Sequence, residues 1–172
     1  MRALKAIALL LGYPDDELQR HADELALTIE AEPRIDRETS ARIGEMIQRI
    51  SAGDLLEVQA AYVELFDRSR SLSLHLFEHV HGESRDRGQA MVDLQALYQR
   101  HGLEIGTSEL PDYVPLFLEF CSRLPMTDAR AWLQEMAHLL QKLHGRLAER
   151  NSDYQWLFRA LMDIADVKPA DG

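Results

Sequence analysis

Cysteine is nearly absent from this sequence: Cys121 is the single one in 172 residues. One thiol excludes an internal disulfide and any zinc or iron–sulfur site built from several cysteines, and it fits a reducing compartment. Lying in the apolar run LFLEFCSRL, Cys121 reads as a small buried residue. Positive charge is also scarce, with 19 Lys and Arg against 29 Asp and Glu and a formal net charge of −10. Nucleic acid and anionic membranes need concentrated positive charge, so neither is the expected partner, and a basic peptide suits the surface better. Long apolar runs are missing too. The start, MRALKAIALLLGYPDDE, sets basic residues before an apolar stretch in the manner of a signal peptide. The stretch is too short to span a bilayer, no small-x-small cleavage site follows it, and Gly12 and Pro14 read as a helix stop and a new helix start. The expectation is a cytoplasmic protein, not inserted in a membrane, whose first helix packs in the core. Strand signals are lacking as well: no segment alternates polar and apolar residues convincingly, and no Asn-Gly or Asp-Gly turn joins two such segments.

What the sequence does have is helical periodicity. Hydrophobic residues make up 46% and charged ones 28%, ordinary for a globular protein. In 14–30 the apolar positions are Leu18, Ala22, Leu25 and Ile29, with Pro14 in a first-turn position. Segment 36–51 groups Ile43, Met46, Ile47 and Ile50, and 54–68 groups Leu55, Val58, Tyr62, Leu65 and Phe66. Segment 86–101 carries Met91, Leu94 and Tyr98 and ends at Gly102, a C-cap position. Segment 111–124 starts at Pro111 and is apolar on more than one side, as a central helix would be. Segment 128–150 spaces Leu133, Met136, Leu140, Leu143 and Leu147 over several turns, with Thr127 as N-cap, and a last helix starts with Ser152 and Gln155 in capping-box spacing. The reading is all-α: one compact helical domain over residues 1–172, of about eight or nine helices, with a tail frayed from about residue 168.

One short stretch points to chemistry. HLFEH, residues 75–79, has the form H-x-x-E-H, the inverted zinc-protease pattern in which two histidines hold zinc and the glutamate acts as base. A helix over 72–81 would put His75, Glu78 and His79 on one face. His81, two residues beyond His79, would point to another side. A catalytic zinc needs a third ligand, and no signature supplies one. The alternative is a helix end with polar histidines at its rim. The following HGESRDRGQAM reads as a helix stop at Gly82 and a new start capped by Asp86, with Gln89 in capping-box spacing. Arg68, Arg70, Arg85 and Arg87 gather positive charge around this turn. Pairing of Arg85 or Arg87 with Glu78 or Glu83 would fix the turn; recognition of a partner is the other reading.

The run YVELFDRSRSLSLHLFEHVHGESRDRGQAMVDLQALY, residues 62–98, closely resembles the nitrate reductase assembly chaperones of the NarJ family. Their hallmark string S-L-x-L-F-E-H-V-H-G-[DE]-S-R-D-R-G-Q-A-M is present from Ser73 through Met91 without a gap. The opening ALLLGYPDDEL and the later ELPDYVPLFLEF, residues 109–120, are similar to two further blocks of that family. Glu109, Pro111 and Asp112 fit the E-x-P-D-H element of the wider group of chaperones for molybdenum enzymes, while Tyr113 stands in place of its histidine. The resemblance implies an all-α cytoplasmic chaperone that is not an enzyme. It implies binding to the apo form of the catalytic α subunit of respiratory nitrate reductase, chiefly through that subunit's N-terminal segment. Binding would keep the subunit open to insertion of molybdenum bis-guanine-dinucleotide cofactor and an iron–sulfur cluster before it docks to the membrane, with no cofactor held stably by the chaperone itself. Molybdenum cofactor biosynthesis proteins are further implied partners.

For such a chaperone, an apolar groove between helices with charges at its rim is the expected binding site. Groove candidates are Tyr62, Phe66, Phe77 and Phe117, for each of which plain core packing is the alternative. Rim candidates are Glu78, His79, His81, Arg85, Asp86, Arg87 and Gln89 from the first block, with Glu109, Pro111, Asp112 and Tyr113 from the second. Histidines at this rim would make binding vary with pH around 6–7, where their charge changes. A zinc-dependent hydrolase using HLFEH and a helical scaffold or oligomerisation module acting through 128–150 are the alternative functions.

Overall fold

Seven of the ten residues of α1 (Arg2–Leu11) are buried, so the apolar start is a core helix. The structure, a computed structural model, describes residues 1–80, 85–106 and 109–170. After α1 the chain continues through α2 (Asp16–Arg20), α3 (Ala22–Glu30), α4 (Arg37–Ala52) and α5 (Leu55–Tyr62). The last of these widens into a π turn, Val63–Asp67, and a 3₁₀ turn follows at Arg70–Leu72. Then come α6 (Leu76–Val80), α7 (Arg85–Arg100), α8 (Val114–Ser122), α9 (Met126–Glu135), α10 (Ala137–Glu149) and α11 (Gln155–Ala165). Among the described residues there is no β-strand, only an isolated antiparallel bridge between His75 and Tyr113. No helix among them is long and apolar enough to cross a membrane.

The core is assembled where α1 packs on α8, α3 on α4, and α10 on α11. In α11 the side chains of Leu157, Phe158, Leu161, Met162 and Ile164 are all fully buried. The helix expected to be central, now α8, shares that role, with Leu118, Phe120 and Cys121 inside. Burial pushes the Cys121 thiol up to about 12, so it stays protonated and inert.

The all-α fold in one compact domain is as the periodicity implied, but eleven α-helices among the described residues exceed the eight or nine expected, because two long segments break. Segment 14–30 splits at His21, whose backbone leaves the helical range. Asp15 caps α2, accepting from the Leu18 amide at 2.8 Å, so Pro14 precedes the cap and does not occupy the first turn. Segment 128–150 splits at Met136, and Thr127 falls inside α9. The break redirects the chain so that Leu139, Leu140, Leu143 and Leu147 of α10 are buried. Leu140, Leu143 and Leu147 are therefore used within the chain, while Trp132 and Met136 of the same segment are only partly buried. Finally, α8 begins at Val114 with Pro115 in its first turn, not at Pro111, because Pro111 and Asp112 form a turn and Tyr113 is extended in the bridge to His75.

Candidate functional site

The two motif blocks meet at one corner. The Val114 amide donates to the Leu74 carbonyl at 2.8 Å, and the Leu76 amide donates to the Asp112 carbonyl at 3.0 Å. This pairing keeps residues 73–75 out of any helix. His75 therefore lies outside α6, its ring 5.4 Å from that of Tyr113, and the expected helical face shared by His75, Glu78 and His79 does not form. The His79 Nε2 atom lies 2.8 Å from the Ser73 carbonyl, which can only accept, so Nε2 carries the proton. The zinc arrangement is thus not assembled, and no group of three His, Cys, Asp or Glu side chains suited to a metal gathers among the described residues. His81 and Gly82 lie outside the described residues.

Behind the corner, Asp112 is fully buried, and its Oδ2 accepts from the Phe77 amide at 3.1 Å. Its placement at a solvent-facing rim is corrected by this burial. Pro111 is buried too, and its carbonyl accepts from the Tyr98 hydroxyl at 2.8 Å. Tyr62 and Phe66 belong to a buried aromatic cluster with Tyr154, with ring centroids 4.9 to 5.9 Å apart. The Tyr62 hydroxyl donates to the Leu11 carbonyl at 2.6 Å, so the Tyr113 hydroxyl, 3.1 Å away, is the donor between the two phenols. A tyrosine at 113, in the place of the wider group's histidine, thus reaches back to the core. Burial raises both phenols above their ordinary range, Tyr62 the further.

On α7, Asp86 sits inside the first turn and is no N-cap, since the helix already includes Arg85; its charge there suits the positive end of the dipole. Gln89 donates to Asp93 at 2.9 Å and forms no capping box among the described residues. Arg87 lies 3.8 Å from Glu78, the interhelical pairing foreseen for this turn, and Arg85 is exposed.

Three concavities surround the corner. The largest, about 950 Å³, is a trough between α6–α7 and α9–α10 with Phe117 of α8 beneath it. One wall is the stripe Ala90, Leu94 and Leu97 of α7 with Phe77 and Val80 of α6; the other carries Trp132, Met136 and Leu139. The stripe recurs at helical spacing; Leu94 and Leu97 are half-buried against the core, and their remaining surface lines the trough. His79, Arg100 and Lys142 at the margin are offset by Asp93 and Glu135. On the opposite side of α8 is a cleft of about 440 Å³ between α1, α2 and α8. It holds Leu9 and Tyr13 among the acids Asp15, Glu17, Glu109 and Glu119. A polar pocket of about 430 Å³ contains Tyr62, Phe66, Arg70, His75 and Glu78, and Tyr113 borders both it and the acidic cleft.

The sequence candidates therefore do not form one site. Phe77, His79 and Phe117 line the trough, while Tyr62, Phe66, Glu78 and Tyr113 border the polar pocket, and Glu109 faces the acidic cleft. The residues missed were Leu97, Trp132 and Leu139, and Leu94 and Met136 were read only as core. The available signal was a tryptophan beside a helix whose apolar positions run on to Met136.

The nitrate reductase delta subunit family model matches residues 15–160. The nitrate reductase molybdenum cofactor assembly chaperone NarJ of Escherichia coli (strain K12) is 45% identical over 167 residues, covering 97% of this chain and 71% of that protein. NarW of the same strain is 45% identical over 166 residues, covering 96% of this chain and 68% of its own length. In fold, the chain is similar to the crystal structure of an Archaeoglobus fulgidus protein described as a redox enzyme maturation protein. The TM-score is 0.63 at 24% identity, over 96% of this chain and 94% of that one. With the motif blocks meeting at one corner and this extent of identity, the chain belongs to the nitrate reductase delta subunit family, the family of the NarJ assembly chaperones.

Proposed function

We propose that this protein is a cytoplasmic assembly chaperone, and no enzyme, for the catalytic α subunit of respiratory nitrate reductase. It binds the apo subunit chiefly through that subunit's N-terminal segment and keeps it open to insertion of the molybdenum bis-guanine-dinucleotide cofactor and an iron–sulfur cluster, both of which belong to the client. The observation that carries the reading is the trough. An amphipathic client segment laid between α7 and α9–α10 would cover the Ala90, Leu94 and Leu97 stripe and pack on Phe77 and Trp132, as an apolar helix face packs in a groove. The chain's net charge of −10 would speed the approach of a basic leader, while the balanced margin of the trough leaves affinity to the apolar anchors.

Titration calorimetry with the α subunit's N-terminal peptide tests this. Binding at tens of micromolar or tighter is expected, and Trp132→Ala is expected to weaken it about tenfold or more, since buried aromatic anchors dominate such interfaces. Absence of binding by the wild-type chain would overturn the reading.

A further inference from the structure

Asp112 is a fully buried residue whose carboxylate, among the described residues, takes one hydrogen bond, from the Phe77 amide to Oδ2 at 3.1 Å. Its other oxygen, Oδ1, has no partner among the described residues. Burying a carboxylate with so little compensation is unfavourable, so its retention calls for a local gain. That gain lies at the start of α6. The described part of this helix is Leu76–Val80, and its leading amides have no partners within the helix. Asp112 meets two of them, its carbonyl taking the Leu76 amide at 3.0 Å and its carboxylate the Phe77 amide. The helix is thus capped by a residue from the other motif block.

We propose that Asp112 is a positioning residue for client binding. Its buried carboxylate holds the first turn of α6, and so sets Phe77 and His79 in the trough wall without touching the client. The proposal rests on the trough being the client site. With the carboxylate gone, α6 frays, the fraction of molecules with a formed wall falls, and apparent affinity falls by the same fraction. The fold survives the loss, because the bonds from Leu76 to the Asp112 carbonyl, from Val114 to the Leu74 carbonyl and from Tyr98 to the Pro111 carbonyl do not use the Asp112 side chain.

Asp112→Ala and Asp112→Asn of the full chain distinguish this role from general stabilisation. In Asp112→Ala, hydrogen exchange at the Phe77 amide is expected to accelerate on the order of tenfold while amides of α11 keep their protection, as local opening requires. Affinity for the α subunit's N-terminal peptide is expected to fall in parallel, on the order of 3–30-fold, the range that loss of one cap supports. Asp112→Asn keeps an acceptor for the Phe77 amide, so it should restore both readouts to within about threefold of wild type. In a cycle with Phe77→Ala, the losses in affinity should be strongly non-additive, because both variants remove the same contact. Unchanged exchange at Phe77 in Asp112→Ala overturns the proposal, and so does faster exchange with unchanged affinity. If the wild-type chain fails to bind the peptide, the functional reading falls, and exchange at Phe77 still decides whether Asp112 holds α6.

Discussion

Helices α11 and α7 differ in what they bury. Most of α11 is sealed inside, whereas in α7, the longer of the two, Tyr98 is the only fully enclosed side chain. One is scaffold, gripped by α10, α4 and α9; the other is a wall, tied down by the Tyr98 hydroxyl, the Tyr98 ring against Phe120 at 5.0 Å and the contact of Arg87 with Glu78. A chaperone needs both properties in one domain. The scaffold must stay folded while the wall leaves apolar surface uncovered until a client covers it, and regions with few buried contacts open at low cost.

Variants can sharpen this contrast or break it. The largest effect is expected in the scaffold: Phe158→Ala empties a fully buried site and should cost about 3–5 kcal/mol. Thermal unfolding should shift down by roughly 10 °C or more, and a shift of only a degree or two would mean that α11 is not the scaffold. Next is the tether of α7. Tyr98→Phe keeps the ring but removes the donor to the buried Pro111 carbonyl, an expected loss of about 1–3 kcal/mol. Hydrogen exchange should accelerate in α7 more than in α11; equal acceleration in both would erase the distinction. Weaker still is the Glu78 contact with Arg87, which is partly exposed and 3.8 Å long. Glu78→Gln should change stability by no more than about 1 kcal/mol, read by urea unfolding.

The smallest effect concerns pH. His144 on α10 has its pKa lowered from the ordinary 6.5, first by burial and then by the Arg159 charge, with Asp163 opposing. The unfolded chain therefore takes up this proton first as pH falls. Stability contributed by neutral His144 is present above about 6.5 and declines below it, levelling off once the folded form is also protonated. The site is only half-buried, so His144→Gln should flatten the acid side of the melting profile by no more than about 2 °C. A steeper acid loss in the variant than in the wild type would contradict the sign.

How much of this was legible in the sequence depends on the range of the interaction. The buried face of α4, the enclosed Cys121 and the left-handed Gly102 that ends α7 follow from local spacing and from glycine's freedom at positive φ. The breaks at His21 and Met136 leave no mark in the apolar spacing of their segments. His75 was misplaced because its conformation is fixed by a bridge to Tyr113, distant in sequence. Asp112 was read as rim because an aspartate usually is exposed, and only the meeting of two blocks gives a buried carboxylate an amide to hold. The trough was invisible for a related reason: Leu94 and Met136 read as core and do pack partly against it, while their outer sides line the trough.

The central claim is that the uncovered α7 wall and its facing helices receive the client. Its most direct test is titration of the isotopically labelled protein with the N-terminal peptide of the nitrate reductase α subunit, followed residue by residue by chemical shift. The account predicts saturable shifts at Phe77, Leu94 and Trp132, with the α11 core and the acidic cleft at Leu9 and Tyr13 undisturbed. Shifts confined to Leu9, Tyr13 and Glu109, with Trp132 unmoved, would contradict it.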